Sequence, residues 1–530
     1  MATTQTPPVA LKVKSTPFVN RFAVLIVLLY SVGLLVVGSA LRVQYGFPLD
    51  DSWIHQTVAR NFAHFGTLGF SPGKPSSGAT SLLWACLQAA NYRTLHLDPV
   101  VFNLILGWLT LVLIGLLLFL LARRDGFSPR DSFILAAAPA LCGNFIWLAL
   151  IGMEHLLFVV LTLGSIYFWF DIGVHRRRSA ILAGLGAGLL LLTRPEAMLF
   201  GPLLALTGRK IKRTLPQTLL ALAVWSMFLA VLFAANFHTS HSLMPVTLKG
   251  RTWLYFRDLG GPHSIYSILS FFFSWMRRPA MQFSTWWAQP MPGSGSVLLH
   301  VLPPLALAGL GAWAIFSRRA PRIRFLMLWA AVHFCTYLLM FPTTGHAGRY
   351  QPLFLLLLFP CLFFGLLWLL ELAFSGRAHW AVYPAAAALI VAGAASLYTW
   401  RIVTVAGIAH INNTHGRMAE WMLHNLPPGA NVAVFDIGRI SYTWGNDLLD
   451  LGGLVDPSYV PYLTSGRVPQ YLEEQKVQYV VLPKELTTEL GFSDAPMTKL
   501  AEYCSSNDLW RLGFQYTGHA GRCQDLYKVK

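Results

Sequence analysis

Between residues 22 and 400 the sequence is dominated by apolar stretches, many about 20 residues long, with short clusters of arginine or lysine between some of them. A helix of that length crosses the hydrocarbon core of a bilayer. A chain that repeats the pattern is confined to a bundle of membrane helices, because only there does each segment satisfy its own backbone hydrogen bonds. Composition agrees: hydrophobic residues make up 55% of the chain and charged residues 12%, with a mean hydropathy of +0.52, far too apolar for a soluble globular protein. The net charge of +17 sits in clusters between apolar runs, as retention signals on cytoplasmic loops do. It does not form a soluble basic face with interleaved aromatics, so nucleic acid is excluded as a partner.

Residues 22–44 read as a retained signal-anchor helix, with Lys12, Lys14 and Arg21 on the cytoplasmic side. Further spans are expected near 100–122 and 132–151, in a fourth run ending at Arg176-Arg177-Arg178, and in two short runs, 179–192 and 197–207, around Thr193-Arg194-Pro195-Glu196. Others follow at 216–236, 296–317, 325–341, 351–372 and 381–400, which makes about eleven crossings. The short runs also fit a single re-entrant unit. Alternating the sides gathers Arg123, Arg124 and Arg130, then Arg209, Lys210, Lys212 and Arg213, then Arg318, Arg319, Arg322 and Arg324, and finally Arg377 on the cytoplasmic face.

Loop 45–97 is then an unusually large external segment, with Ser52 placed to cap an amphipathic helix reaching Phe65. Residues 401–530 change in character: short apolar runs such as Asn431–Phe435 and Val477–Leu482 are separated by Gly and Pro turns. The chain therefore divides into a membrane module, 1–400, and an α/β domain, 401–530, on the extracytoplasmic side. Cys504 and Cys523 are expected to pair if that compartment is oxidising, and to stay free in a cytoplasmic tail. No CxxC, no HExxH and no GxGxxG after a strand is present.

The external polar residues differ in kind from the cytoplasmic clusters. Asp50 and Asp51 are the first acidic residues of a chain that has only 23 in 530, and they stand at a membrane edge. With them come His55, Glu154, His155, Arg194, Glu196, His241, Lys249, His346 and Arg349, mixed in sign and near span ends. Carboxylates can act as general base or hold a cation, while Arg and Lys bind and stabilise phosphate oxygens. Structural roles compete with these. The Asp pair can cap a helix, Arg194 can snorkel to headgroups, and each His can be a satisfied structural residue. In the tail, Asp436, Asp450 and Asp456 fall where capping and turn formation are expected.

Asp50-Asp51-Ser52-Trp53-Ile54-His55, then Ala59-Arg60-Asn61, Gly69-Phe70-Ser71-Pro72-Gly73, Ser77-Gly78-Ala79-Thr80-Ser81 and Trp84, resembles the first external loop of bacterial GT-C glycosyltransferases. The resemblance is nearest to the branch that includes the mycobacterial arabinofuranosyltransferases. Gly152-Met153-Glu154, Leu192-Thr193-Arg194-Pro195-Glu196, Pro245 with Lys249, Arg349-Tyr350, Asp436-Ile437-Gly438 and the run from Asp450 to Asp456-Pro457 extend it through most of the chain. The resemblance implies a polytopic α-helical enzyme of the bacterial inner membrane that moves a sugar from a polyprenyl-phosphate donor to an extracytoplasmic glycan, lipid or protein acceptor.

On that reading Asp50 is the general base, with Asp51 beside it and Glu154 at the family's second acidic position. Arg194, Lys249 and Arg349 receive the lipid phosphate, and His55, Glu196, His346 and Tyr350 complete the substrate-binding set. No cofactor is required. A divalent cation between Asp50, Asp51 and Glu154 is left open, because the ligand set is incomplete. Ser71 stands where the family usually has Asn, Lys74 where it has Glu and Leu82 where it has Pro, which leaves the sugar and the acceptor open. Two alternatives use the same polar groups: a lipid-linked sugar transporter or flippase, and a non-catalytic glycan-binding membrane protein. A transporter is expected to carry ionisable groups near the helix midplane or show repeated halves, whereas the charges here lie at one face.

Overall fold

A computed structural model describes residues 17–76, 80–173, 175–243, 247–283, 294–374, 378–456, 458–492, 497–506, 508–512 and 521–529. Lys12, Lys14, Ser77, Gly78, Ala79, Pro245, Arg377 and Pro457, singled out above, lie outside the described residues, as does the side chain of Lys249.

Among the described residues, six helices are long and apolar enough to cross a bilayer: Arg21–Arg42, Pro99–Arg124, Leu215–Ser240, Pro321–Met340, Pro352–Ala373 and Val382–Asn425. Three shorter apolar helices accompany them, His155–Trp169, Pro195–Leu206 and His300–Phe316. The chain is a multi-pass helical membrane protein, and the expected count of about eleven spans is not reached by these criteria.

Local causes account for the difference. The run 132–151 is not one helix but Pro129–Ala137, a 3-10 turn at Ala138–Leu141 and a short helix, Gly143–Trp147. Pro139, in that turn, has no N–H to continue the helical ladder. Around Arg194, helix Arg176–Thr193 stops dead and a 3-10 turn, Pro195–Leu199, leads into the short helix Phe200–Leu206. Arg194 has extended backbone (φ −151°, ψ 123°), the conformation that a following proline imposes.

The interior of the bundle is closed by large side chains, with Trp147, Trp169, Trp329 and Trp400 fully buried, and by helix crossings too close for a side chain. A Cβ on Gly311 would stand 1.7 Å from the Cys361 carbonyl oxygen, and one on Gly365 2.0 Å from that of Leu307. Backbones at such crossings touch directly, which lipid-embedded helices achieve with small residues.

The last long helix, Val382–Ile411, runs through residue 400, where the soluble domain was placed to begin, and continues through a π turn, Asn412–Gly416, into Arg417–Asn425. A mixed sheet follows, built from β1 (Val432–Val434), β2 (Leu449–Asp450), β3 (Tyr479–Pro483), β4 (Met497–Cys504) and β5 (Cys523–Val529) in the order β2-β1-β3-β5-β4. β1 lies parallel to β2 and β3, while β5 is antiparallel to β3 and β4. β1 and the centre of β3 are apolar throughout because the sheet is packed on both faces. Cys504 and Cys523 sit opposite each other on β4 and β5 and are disulfide-bonded.

The segment after the first long helix holds this domain against the bundle. Its helix starts at Asp50, not at Ser52 as expected, and runs to Phe65. Ser52 is instead buried inside the helix and donates to the Ile151 carbonyl at 2.5 Å. The helix packs on Ile437–Trp444 of the tail, with Arg60 Nη1 donating to the Tyr442 carbonyl at 2.9 Å and the Arg439 guanidinium 4.2 Å from the Trp53 ring centre.

Candidate active site

Asp50 and Asp51 occupy the first turn of the Asp50–Phe65 helix. Consecutive helical residues point about 100° apart, so the two carboxylates serve different surroundings. Asp50 faces the tail, where each of its oxygens accepts a backbone N–H at 2.7 Å, from Gly438 and from Arg439. These are orphan donors in the first turn of Ile437–Trp444. The contact requires glycine at 438, because a Cβ there would lie 2.6 Å from Asp50 Oδ2 and 2.1 Å from its carbonyl oxygen. Burial pushes the Asp50 carboxyl up to about 6; His415 and the two N–H groups pull against it and Asp436 adds to it.

Around Asp50 the tail supplies His415, on the π turn, and Asp436, after β1. His415 Nε2 is 3.4 Å from Asp436 Oδ2. Gln524 of β5 donates to the same oxygen at 2.5 Å and lies 3.3 Å from His415 Nε2.

Asp51 faces the bundle. It is hydrogen-bonded to Arg349, which is fully buried, and lies 3.7 Å from Arg251 Nη2. Burial alone would raise this carboxyl, but the two guanidiniums outweigh it and hold Asp51 well below the usual carboxylate range.

The adjoining cluster is centred on Arg194, brought into place by the Arg-Pro break. Its Nη1 donates to Glu154 at 2.8 Å, its Nε to Glu196 at 2.5 Å and its Nη2 to the Tyr337 hydroxyl at 2.6 Å. Tyr337 in turn donates to Glu196 at 2.5 Å. Glu154 precedes helix His155–Trp169 and is 1% exposed, so its ion pair with Arg194 is a buried one. His155 is 2.9 Å from Arg194 and His55 is 3.8 Å from Glu154. The Tyr350 ring lies between Arg194 and Arg349, 5.1 and 5.3 Å from them, and its hydroxyl accepts from Arg251 at 2.8 Å. Asp51, Glu154 and Glu196 thus face Arg194, Arg251 and Arg349, and the formal charges cancel.

Two cavities open on these groups. One, of about 300 Å³, has walls of Met198, Leu199, Leu248, Met340 and Phe341 and presents Arg194, Arg251 and Tyr350, with Glu154 and Glu196 beside the guanidiniums. The other, of about 110 Å³, is the more polar of the two and presents Asp50, Asp51, His346, His415, Asp436 and Gln524. Arg251 lines both, whereas Arg349 lines neither. An apolar trough ending in guanidiniums suits a lipid that carries an anionic head; a pocket of carboxylates and imidazole suits a hydroxyl-bearing ligand.

The residues singled out in the sequence are therefore brought together in two groups. Asp51, Glu154, Arg194, Glu196, Arg349 and Tyr350 form one network with His55 at its margin, while Asp50 and His346 border the polar cavity. Arg251, Tyr337, His415, Asp436 and Gln524 were not anticipated. Arg251 had a signal, lying two residues after Lys249 in a segment whose sequence reads as external. Asp436 stood in a matched motif but was assigned to a turn.

Asp50, Asp51 and Glu154 do not assemble as a ligand set, since Asp51 and Glu154 are occupied by guanidiniums. Among the described residues, the groups whose ligand atoms lie within 4.8 Å of one another are Asp50 with His415 and Asp436, and Glu502 with Cys504 and Cys523. The second group is closed by its disulfide.

A family model described as a domain of unknown function (DUF8728) matches residues 406–527. No curated protein matches the chain by sequence. Among solved structures the chain is similar to the oligosaccharyltransferase AglB of Archaeoglobus fulgidus in complex with an inhibitory peptide and a dolichol-phosphate, at 13% identity and a TM-score of 0.54, over 89% of this chain and 70% of that one. It is also similar to ArnT of Cupriavidus metallidurans bound to undecaprenyl phosphate, at 12% identity and a TM-score of 0.57, over 96% of this chain and 98% of that one. At these identities the shared feature is the fold.

Proposed function

We propose that this protein is a polyprenyl-phosphate-dependent glycosyltransferase that inverts the anomeric carbon in a single displacement on the extracytoplasmic face of a bacterial inner membrane. The observation that carries the reading is the pair of cavities meeting at Arg251, one apolar with guanidiniums at its end and one polar with Asp50 and Asp51. The two proteins of similar fold, one with a dolichol-phosphate and one with undecaprenyl phosphate, support a lipid-linked donor. The disulfide Cys504–Cys523 supports an oxidising compartment for the tail. The motifs of the first loop favour a place near the branch that includes the arabinofuranosyltransferases.

In this mechanism the lipid chain lies in the apolar cavity and its phosphate meets Arg194 and Arg251. The acceptor enters from the polar cavity. Asp50 takes the proton of the acceptor hydroxyl while the new C–O bond forms at the anomeric carbon and the bond to the lipid phosphate breaks. The phosphate leaves with the electron pair as a stable anion and needs no proton. Its growing charge is what the guanidiniums stabilise.

Asp51, held ionised between Arg349 and Arg251, orients those guanidiniums and is a poor proton acceptor; Asp50, raised by burial, is the better base. Glu154 and Glu196 position Arg194. Purified protein incubated with a panel of polyprenyl-phosphate sugars and an acceptor glycan is expected to release lipid phosphate. Full transfer by Asp50→Asn would sink the reading.

A further inference from the structure

We infer that Asp50, His415 and Asp436 bind a divalent cation of the Mn²⁺ or Zn²⁺ type where the first external loop meets the tail. The first argument is the tautomer of His415. The Thr414 hydroxyl donates its only proton to the His410 carbonyl at 2.6 Å, so towards His415 Nδ1, 2.7 Å away, it can only accept. The Nδ1 atom therefore carries hydrogen, and the neutral ring turns the bare lone pair of Nε2 toward Asp436 Oδ2 at 3.4 Å. Two such acceptors are repulsive unless a donor or a positive group lies between them. The Gln524 amide N–H fills that role, donating to Asp436 at 2.5 Å and facing His415 Nε2 at 3.3 Å, and a cation in its place would bind both.

The spacing suits a metal ion. Ligands bound at about 2.0–2.2 Å in tetrahedral or octahedral geometry stand roughly 3–3.5 Å apart, and the Asp50, His415 and Asp436 ligand atoms already lie within 4.8 Å of one another.

Gln524 is the second, independent observation. It is 2% exposed and lines the same cavity, yet its Oε1 has no hydrogen-bond partner among the described residues. A buried amide oxygen without a partner costs about 1–3 kcal/mol. A half-turn of the carboxamide puts that oxygen where Nε2 now lies, beside His415 and Asp436, and makes it a fourth ligand. The two backbone N–H bonds fix Asp50 without exhausting its lone pairs. One imidazole with two carboxylates selects Mn²⁺ or Zn²⁺ over Mg²⁺ and Ca²⁺, which prefer all-oxygen shells. An acceptor hydroxyl entering the polar cavity would bind the same ion and become more acidic.

The inference goes beyond the transferase reading and its test measures binding, not turnover. Purified full-length protein, stripped with chelator, is titrated with Mn²⁺ while free Mn²⁺ is followed by electron paramagnetic resonance, and Zn²⁺ is then added as competitor. A single displaceable ion per chain is expected. His415→Ala and Asp436→Asn should each weaken it by at least about tenfold, and Glu502→Gln should leave it unchanged. Gln524→Glu, which adds an anionic oxygen at the same place, should tighten binding, a gain that a misfolded variant cannot mimic. No stoichiometric Mn²⁺ or Zn²⁺ binding, or binding indifferent to His415→Ala and Asp436→Asn, overturns the site. Transfer by protein that binds neither ion would overturn the cation and leave the transferase reading standing.

Discussion

Asp50 and Asp51 are neighbours in the chain, yet each belongs to a polar region built by a different means. On the bundle side, Asp51, Glu154 and Glu196 are neutralised by guanidiniums from three separate segments, and little positive charge is left over. On the tail side, Asp50 and Asp436 are held by backbone N–H groups, an amide and one imidazole, so negative charge exceeds fixed positive charge. A balanced cluster in a low-dielectric setting is rigid, and it binds an anion only by exchanging partners. An unbalanced one is poised to accept a proton or a cation. The contrast assigns the two sides of the proposed reaction: leaving-group stabilisation to the bundle and acceptor activation to the tail.

The largest expected effect separates the aspartates. Asp50→Asn should lower the rate of lipid phosphate release by about 10²–10⁴-fold, the usual worth of a general base. Its fold should survive, because the Asn oxygen can still accept one of the two backbone N–H groups. Equal losses in rate from Asp50→Asn and Asp51→Asn, with stability unchanged in both, would erase the distinction.

Next in size is Arg349→Ala, which leaves Asp51 without its buried partner. A loss of about 3–5 kcal/mol in stability is expected, measured by chemical unfolding in detergent. The sign of its pH dependence follows from the depressed Asp51 carboxyl. The stabilisation is present above the unfolded carboxylate value of about 4 and is lost as pH falls below it. The wild-type and Arg349→Ala stabilities should therefore converge only in acid.

Gly438→Ala tests the tail side alone. Its Cβ would collide with Asp50, and a cost of about 1–3 kcal/mol is expected, together with faster proteolysis of the tail and an unchanged Arg194 cluster. Tyr337→Phe is the smallest of the four. It removes the hydroxyl shared by Arg194 and Glu196 and should cost about 1–2 kcal/mol, seen as a lower thermal midpoint. A larger effect on donor KM than on kcat would place Tyr337 on the lipid phosphate side.

Much of this protein is legible from local pattern. Apolar runs longer than a bilayer is thick became long helices, β1 lies within the first apolar run singled out in the tail and β3 overlaps the second, and the break at Arg194-Pro195 follows from proline geometry. The run 132–151 misled because hydropathy does not separate a lipid-facing span from short segments buried in a bundle. Ile146 and Leu148, both buried in the bundle, are as apolar as the lipid-exposed Leu25 and Leu35. Ser52 misled because a hydroxyl before an apolar run signals a cap, although its proton goes to Ile151 in a distant segment. His415 and Gln524 lie in elements with no catalytic pattern, and only the packing of the tail on the first loop gives them a common neighbour.

By itself, the sequence determined that the chain spans a membrane, that its tail carries a separate sheet and that Asp50 and Asp51 stand at the edge of the first span. These follow from hydropathy, turn residues and proline geometry, which act over a few residues. Which aspartate does what was decided by tertiary structure alone. A helix turns its neighbours apart, and their partners come from Arg349, 298 residues beyond Asp51, and from Gly438, 388 residues beyond Asp50. No pattern in the chain encodes such a pairing, because it exists only once the bundle and the tail have closed on the same loop.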